Sequence, residues 1–164
     1  MFETAATLVA RGGFGALTID ALTQAAGLTK GGLQYHFASK AQLLTGLLEN
    51  LLGRLDAELE NLNGQAWLEA YVSLILGKAT HGDGAVAAII STLPPGDPHC
   101  EPFDRFSKKC REKANASGLD QNLAQIIRLA ADGQWLERSF GTSNDADTQS
   151  IRKKLLQLIR ENAK

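Results

Sequence analysis

The chain has 164 residues, of which 44% are hydrophobic and 21% are charged, and its formal net charge at pH 7 is −1. This length suits one domain, or a small domain joined to a larger one, and the charge excludes a polycation that holds nucleic acid by bulk attraction. The chain shows neither an apolar run of about 20 residues nor a basic-then-apolar leader, which predicts a cytoplasmic protein with no membrane contact. Cys100 and Cys110 form no CxxC pair, as is typical of reduced thiols.

Apolar residues recur with helical spacing almost everywhere, and no stretch alternates as a half-buried strand does, so the protein is predicted to be all-α. The first helix is predicted at residues 1–11, ended by Gly12-Gly13. Two short helices follow at residues 19–26 and 30–37, opened by Thr18 and Thr29 and separated by Gly27. A long helix at residues 40–62 is predicted to begin with a capping box of Ser39 and Gln42.

The second half of the chain is also predicted to be helical. Two apolar helices are expected at residues 65–81 and 84–93, and the four prolines within residues 94–102 predict a break. A basic helix at residues 103–116 follows, then a helix from residue 119 that Asp132-Gly133 is expected to interrupt. A polar loop at residues 142–147 precedes the last predicted helix, which ends near residue 162.

The stretch GLTKGGLQYHF, residues 27–37, raises the functional question. Two short helices joined at a glycine have the shape of a helix-turn-helix, whose second helix is sized for a major groove. With Thr29 at the N-cap, the free N–H groups of Lys30, Gly31 and Gly32 would point outward and form an anion-binding end. The two glycines would let this end approach a phosphate or a base edge closely.

The side chains of this stretch divide into two predicted groups. Leu28, Leu33 and Phe37 are expected to face inward. Lys30 and Gln34 lie four residues apart, where a cation and an amide could read guanine and adenine edges. Three further side chains could donate hydrogen bonds to phosphate oxygens: Tyr35, His36 and Lys40. A plain surface loop with aromatic core residues is the alternative.

The run GFGALTIDALTQAAGLTKGGLQYHFASKAQLL, residues 13–44, resembles the DNA-binding segment of the tetracycline-repressor (TetR) family of bacterial regulators. The similarity includes Gly13-Phe14, the helix-turn-helix, YHF at residues 35–37 and Ser39-Lys40. The resemblance implies contacts with the DNA backbone from Thr18, Thr29, Tyr35, His36 and Lys40, and with base edges from Lys30, Gly31 and Gly32. Gln34 departs from the family pattern, where tyrosine is common, so this position would either read bases or contribute less.

The resemblance also implies that the two parts of the chain have different functions. Residues 1–46 would be the helix-turn-helix domain, joined by the long helix to a larger helical domain, residues 47–164, that binds an effector and dimerises. Bulky side chains are the expected lining of an effector pocket, with ordinary core as the alternative: Trp67, Tyr71, Phe103 and Phe106.

The segment LAADGQWLERSFG, residues 129–141, is similar to one that is frequent in a branch of the family near the end of the penultimate helix. By that analogy the last two helices would pair with their copies across a two-fold axis. The expected interface residues, for which an intramolecular core is the alternative, are Leu123, Ile127, Ile151, Leu155 and Leu158.

The sequence therefore predicts a homodimeric, ligand-responsive and sequence-specific regulator, a repressor of transcription that binds a palindromic operator in double-stranded DNA. Its small-molecule effector is not identified, and no cofactor or metal is expected, since His81, His99, Cys100 and Cys110 match no zinc pattern. An enzyme with His36, His99 or Cys110 as nucleophile or base is the second hypothesis, and no catalytic motif supports it. A helical interaction or small-molecule-binding module that has lost DNA binding is the third.

Overall fold

The computed structural model describes residues 1–94 and 96–163 of the chain. These residues form nine α-helices, one 3-10 turn at Pro98–Cys100 and no strand, which confirms the predicted all-α class. The helices are α1 Phe2–Ala16, α2 Ile19–Ala26, α3 Lys30–His36, α4 Lys40–Leu59, α5 Gly64–Ile75, α6 His81–Thr92, α7 Glu101–Asn115, α8 Gln121–Ser139 and α9 Asp145–Glu161. Among the described helices, none is both long and apolar enough to cross a membrane.

The helix starts follow the predicted caps more closely than the helix ends do. The Thr18 hydroxyl accepts from the N–H of Ala21, and the Ser39 hydroxyl accepts from the N–H of Gln42. The Gln42 side chain accepts from the N–H of Ala38 rather than that of Ser39, so the predicted capping box is shifted by one residue. These caps satisfy N–H groups that have no partner inside the helix.

Three predicted boundaries are wrong in the middle of the chain. Helix α5 ends at Ile75 rather than at residue 81, and α6 begins at His81, where Thr80 and Asp83 form a reciprocal capping box. The Arg138 guanidinium donates to the carbonyls of Ile75 and Gly77, which stabilises the end of α5. The proline break is shorter than predicted, since α7 begins at Glu101; Pro95 lies outside the described residues.

Two glycines behave differently from the prediction and from each other. Gly13 has φ 69° and interrupts the helical course of α1, which resumes and continues to Ala16. Gly133 does not interrupt α8, and neither does Asp132, because both lie inside an unbroken helix from Gln121 to Ser139. Glycine breaks a helix only where the chain uses its left-handed freedom.

The chain divides into two compact units, and the first consists of Met1–Arg54 and Thr80–Asp104. Helix α6 packs closely against α1, where a Cβ added at Gly84 would lie 3.4 Å from the Cβ of Ala10. Buried leucines from the turn before α2 and from α2, α3 and α4 form the rest of this core: Leu17, Leu22, Leu33, Leu43, Leu44, Leu47 and Leu48. The helix-turn-helix therefore belongs to a unit with its own hydrophobic core.

The second unit consists of Leu55–Ala79 and Arg105–Lys164. Its core lies among α5, α7, α8 and α9, and its largest buried members are Trp67, Leu68, Tyr71, Val72, Ile127 and Ile159. Residues 80–104 belong to the first unit, although part of the second unit precedes them in the chain. The predicted division between residues 46 and 47 did not anticipate this. That division concerns function and stays a prediction.

Candidate nucleic-acid interface

Helices α2 and α3 are joined by a tight turn at Gly27. This residue has φ 65° and ψ 29°, the left-handed conformation that glycine adopts without steric cost. The carbonyl of Thr23 accepts from the N–H groups of Gly27 and Leu28, which closes the end of α2. Two capped helices with this short connection form a helix-turn-helix.

The first turn of α3 is capped by Thr29 as predicted, but the N–H of Gly32, which was expected to be free, is bonded to that cap. The Thr29 hydroxyl accepts from the N–H of Gly32 at 3.1 Å, which leaves the preceding N–H groups of Lys30 and Gly31 directed away from the helix. A Cβ added at Gly32 would lie 3.0 Å from the Thr29 hydroxyl oxygen, so glycine relieves crowding of the cap there. A Cβ added at Gly31 would meet no atom within 4 Å. Packing within the chain therefore does not explain why residue 31 is glycine, which leaves a contact outside the chain as the reason.

The outer surface of α3 carries large hydrogen-bonding side chains. Gln34, Tyr35 and His36 are all exposed, and Tyr35 is 87% exposed with its ring in an edge contact with His36 at 5.3 Å. Side chains of these types reach phosphate oxygens and base edges. The predicted DNA-contacting residues of α3 are thus all accessible, whereas Leu33 between them is buried.

The two predicted lysines already have partners within the first unit. Lys30 Nζ lies 2.8 Å from Asp20 Oδ1, and since both side chains are largely exposed, this pair contributes under about 1 kcal/mol and can open toward DNA. Lys40 Nζ donates to the carbonyl of Phe14 at 2.8 Å and lies 4.4 Å from the centre of the Phe14 ring. Lys40 therefore holds the start of α4 against the end of α1, a structural contact that the sequence did not reveal.

The inner surface of α3 meets the core as predicted, with one exception. Leu33 is buried, and Phe37 packs edge-on against Phe2. A Cβ added at Gly46 would lie 2.8 Å from Phe37, so the ring needs glycine at that point of α4. Leu28 was expected to face inward, which is wrong, because this residue is 42% exposed.

The predicted effector residues divide between the units. Phe103 belongs to the first unit, whereas the other three belong to the second. Trp67 and Tyr71 are buried and stacked, with ring centres 5.0 Å apart, and Phe106 packs against the same core. The first two residues are therefore core members of α5, which is the alternative that the sequence left open.

A buried polar cluster lies beside this aromatic pair and was missed by sequence reasoning. The Tyr71 hydroxyl donates to one oxygen of Asp132 at 2.5 Å, and the Arg128 guanidinium donates to the other at 2.6 Å. Gln125 accepts from the Nε of Arg128. The spacing of Arg128 and Asp132 by four residues is the signal that could have shown this pair.

Burial dominates the protonation equilibria of this cluster. It raises the pKa of Tyr71 well above the ordinary value, and the charge of Asp132 adds to that rise. Burial also raises the pKa of the Cys110 thiol to about 12, and raises the pKa of Asp132 against the opposing effects of the Tyr71 hydrogen bond and the Arg128 charge. Tyr71 and Cys110 are accordingly protonated at neutral pH.

Comparison with known proteins identifies the family. A model of the tetracyclin repressor-like C-terminal domain matches residues 65–160, more than half of the chain, and a model of bacterial regulatory proteins of the tetR family matches residues 2–47. The chain belongs to the TetR family. It is a transcription regulator with an N-terminal helix-turn-helix DNA-binding domain, as the sequence predicted.

Solved structures share this TetR fold. A TetR-family regulator from Rhodococcus sp. is 17% identical, covers 98% of this chain and 95% of its own, and has a TM-score of 0.78. A regulator from Saccharomonospora viridis in complex with choline is 23% identical, covers 98% and 94%, and has a TM-score of 0.69. AibR in complex with isovaleryl coenzyme A and operator DNA is 17% identical, covers 96% and 94%, and has a TM-score of 0.68. Among curated proteins, none matches the sequence.

The residues predicted to join two TetR copies lie mostly inside one copy. Ile127 is fully buried and Leu155 is 6% exposed, because both pack into the core of the second unit. Leu123, Ile151 and Leu158 are partly buried against that core. For Ile127 and Leu155 the structure therefore favours the intramolecular core, the alternative that the sequence left open, and the dimer interface stays a prediction. The exposed apolar residues of this region, which were missed, are Ile126, Leu129 and Phe140.

Proposed function

We propose that this TetR-family regulator represses transcription by binding a palindromic operator as a homodimer, and that a small-molecule effector releases it. The observation that carries the proposal is the accessible α3, capped by Thr29, with open space at Gly31 and exposed side chains at Gln34, Tyr35 and His36. A helix of this size fits the major groove. In this proposal the protein acts in the cytoplasm, and it acts by binding DNA and an effector rather than by catalysis.

The proposed roles on DNA follow from position in α2, α3 and α4. Lys30, Gly31, Gly32 and Gln34 face base edges, where the missing side chain at Gly31 permits close approach of the helix. The DNA backbone is contacted by the remaining polar positions, Thr18, Thr29, Tyr35, His36 and Lys40. Lys40 uses one N–H on Phe14, which leaves two for phosphate, and its main contribution is to position α4.

The proposed homodimer supplies affinity that one helix-turn-helix lacks. Residues 1–54 contain four basic and three acidic side chains, and one of the basic ones, Lys30, is paired with Asp20. Two copies would place two recognition helices about 34 Å apart, or a multiple of that distance, on a palindrome. The exposed residues Ile126, Leu129 and Phe140 support an interface on α8, in place of the buried Ile127 and Leu155.

We infer that the effector binds in the second unit, near the stacked Trp67 and Tyr71 and the polar cluster of Asp132 and Arg128. Aromatic side chains beside a few fixed polar groups are typical of small-molecule sites. Effector binding would favour a conformation in which the recognition helices no longer match the operator, a population shift. Choline and isovaleryl coenzyme A, bound by the two similar proteins above, are the first compounds to test.

The experiment that tests this function is selection from a randomised duplex pool at about 0.1 M salt, a stated concentration because phosphate contacts make affinity salt-dependent. We expect enrichment of one palindrome, retained by Lys40→Ala with lower affinity and read less selectively by Lys30→Ala. No enrichment would contradict the proposal and favour an interaction module without DNA binding. Equal, sequence-blind losses from both variants would contradict the assigned roles.

A further inference from the structure

The two opposite charges of the helix-turn-helix meet on its surface. Between residues 12 and 39, with histidine counted as neutral, the sequence has two charged side chains, Asp20 in α2 and Lys30 in α3. Lys30 Nζ lies 2.8 Å from Asp20 Oδ1, and the side chains of Lys30 and Asp20 are 58% and 76% exposed. The segment that is proposed to face DNA therefore has no formal net charge.

Neither charge alone suits sequence-specific binding at this place. Asp20 lies in the first turn of α2, next to the N-cap Thr18 that is proposed to contact the DNA backbone. The first helix of a helix-turn-helix crosses that backbone, so an unpaired carboxylate would face phosphates of like charge. An unpaired ammonium at Lys30 would have the opposite effect, because it would bind any phosphate whatever the base sequence.

The ion pair removes both effects and still leaves Lys30 able to read a base. An ammonium has three N–H groups, so one bond to Asp20 leaves two of them. The O6 and N7 atoms of guanine accept two such bonds in the major groove. Because the lysine side chain is long and flexible, a partner that holds its charged end also limits which DNA atoms it reaches.

We propose that Asp20 is a positioning residue for sequence recognition, which holds the Lys30 ammonium at a guanine edge and away from the phosphates. This inference rests on the base contact proposed for Lys30 and adds the residue that makes that contact selective. Asp20 acts through Lys30. Its effect is a larger difference in affinity between the operator and unrelated duplexes, the quantity that determines specificity among competing sites.

The affinity of Asp20→Asn for three kinds of duplex tests this role at several salt concentrations. They are the duplex selected by the unsubstituted protein, versions of it with one guanine replaced in turn, and an unrelated duplex. We expect the preference for guanine at one position to fall at least about fivefold. Binding to the unrelated duplex should tighten at least about threefold, and the slope of log affinity against log salt should steepen by about 0.9, since the released Lys30 gains a phosphate.

Two variants show whether the charge and its place matter. Asp20→Glu keeps a carboxylate near Lys30 and should retain the guanine preference. Glu3→Gln is the matched control, because Glu3 also forms an exposed ion pair in the first unit, with Arg54 at 3.4 Å, and its substitution changes the net charge equally. Arg54 lies in the second half of α4, whereas α3 precedes the start of α4. Glu3→Gln should therefore change neither the guanine preference nor the salt slope.

A double variant shows whether Asp20 acts through Lys30. In the Lys30→Ala background, Asp20→Asn should no longer change the base preference. All variants should fold, because an exposed ion pair contributes little to stability, and thermal melting checks this.

Three outcomes would overturn the inference, and they separate it from the proposed function. An unchanged guanine preference and salt slope in Asp20→Asn, with a duplex still selected by the unsubstituted protein, overturns the role of Asp20 and leaves the proposed function standing. An equal change of preference in the Lys30→Ala background overturns it too, because Asp20 would then act on DNA directly. An unsubstituted protein that selects no duplex overturns the proposed function and, with it, this inference.

Discussion

The buried pair of Arg128 and Asp132 offers the sharpest test of how the second unit is held together. Asp132→Ala would leave the guanidinium and the Tyr71 hydroxyl without their acceptor. The Arg128 side chain is 7% exposed and that of Asp132 is 33% exposed. Removing one partner of a fully buried pair costs about 3–5 kcal/mol, and the partial exposure of Asp132 lowers our expectation to about 2–3 kcal/mol.

Asp56→Ala is the matched control for this variant. Asp56 also pairs within the second unit at 2.6 Å, with Lys109, but those side chains are 38% and 40% exposed. Both aspartates lie in helices, so the gain in helix propensity is similar, and the control should cost less than about 1 kcal/mol.

Urea unfolding followed by tryptophan fluorescence measures both variants. Trp67 and Trp135, the two tryptophans of the chain, lie in the second unit, so the signal reports that unit. With a slope of about 1–3 kcal/mol per molar urea, Asp132→Ala should lower the midpoint by about 1–2 M. Equal midpoints for Asp132→Ala and Asp56→Ala would refute the reasoning that burial determines the cost.

Two further predictions concern stability. Gly46→Ala should destabilise the first unit by about 1–3 kcal/mol, since its methyl would meet Phe37. Gly53→Ala should instead stabilise the first unit by about 0.5–1 kcal/mol. Thermal melts by circular dichroism compare the two variants, and equal shifts in melting temperature would count against the packing at Gly46. Because the pKa of Cys110 is raised to about 12 and that of Tyr71 is also raised, the unfolded chain loses these protons first. Stability should therefore fall as pH rises above about 9 through Cys110, and above about 10 through Tyr71 as well, by up to about 1.4 kcal/mol per pH unit for each group. Cys110→Ala should flatten the decline of the urea midpoint between pH 9 and pH 10.5, and an unchanged slope would contradict the assignment.

The helix-turn-helix was predictable because its signals are local. Thr18, Gly27 and Thr29 each act within three or four residues of their own position, through a hydroxyl cap or a left-handed turn. The contact of Lys40 with Phe14 was not predictable, since the two residues are 26 positions apart and the carbonyl of Phe14 has no signature in the sequence.

The second unit was less predictable because its features depend on tertiary partners. Asp132-Gly133 carries the composition of a turn, yet Asp132 is held inside α8 by Tyr71 of α5 and by Arg128. The helical spacing of apolar residues also does not show which of them face the core and which face outward. Ile127 and Leu155 fill the core, whereas Ile126 and Leu129, equally apolar, face outward.

The central claim is that the start of α3 reads DNA, and the affinity of Gly31→Leu for the selected duplex tests it most directly. A Cβ added at Gly31 would meet no protein atom within 4 Å, so we expect the fold to tolerate a side chain there while the approach to the bases is blocked. We predict an affinity loss of at least 100-fold, about 2.7 kcal/mol, with a melting temperature that does not fall, and no loss of affinity for Gly53→Leu. Full affinity of Gly31→Leu for that duplex would contradict the account.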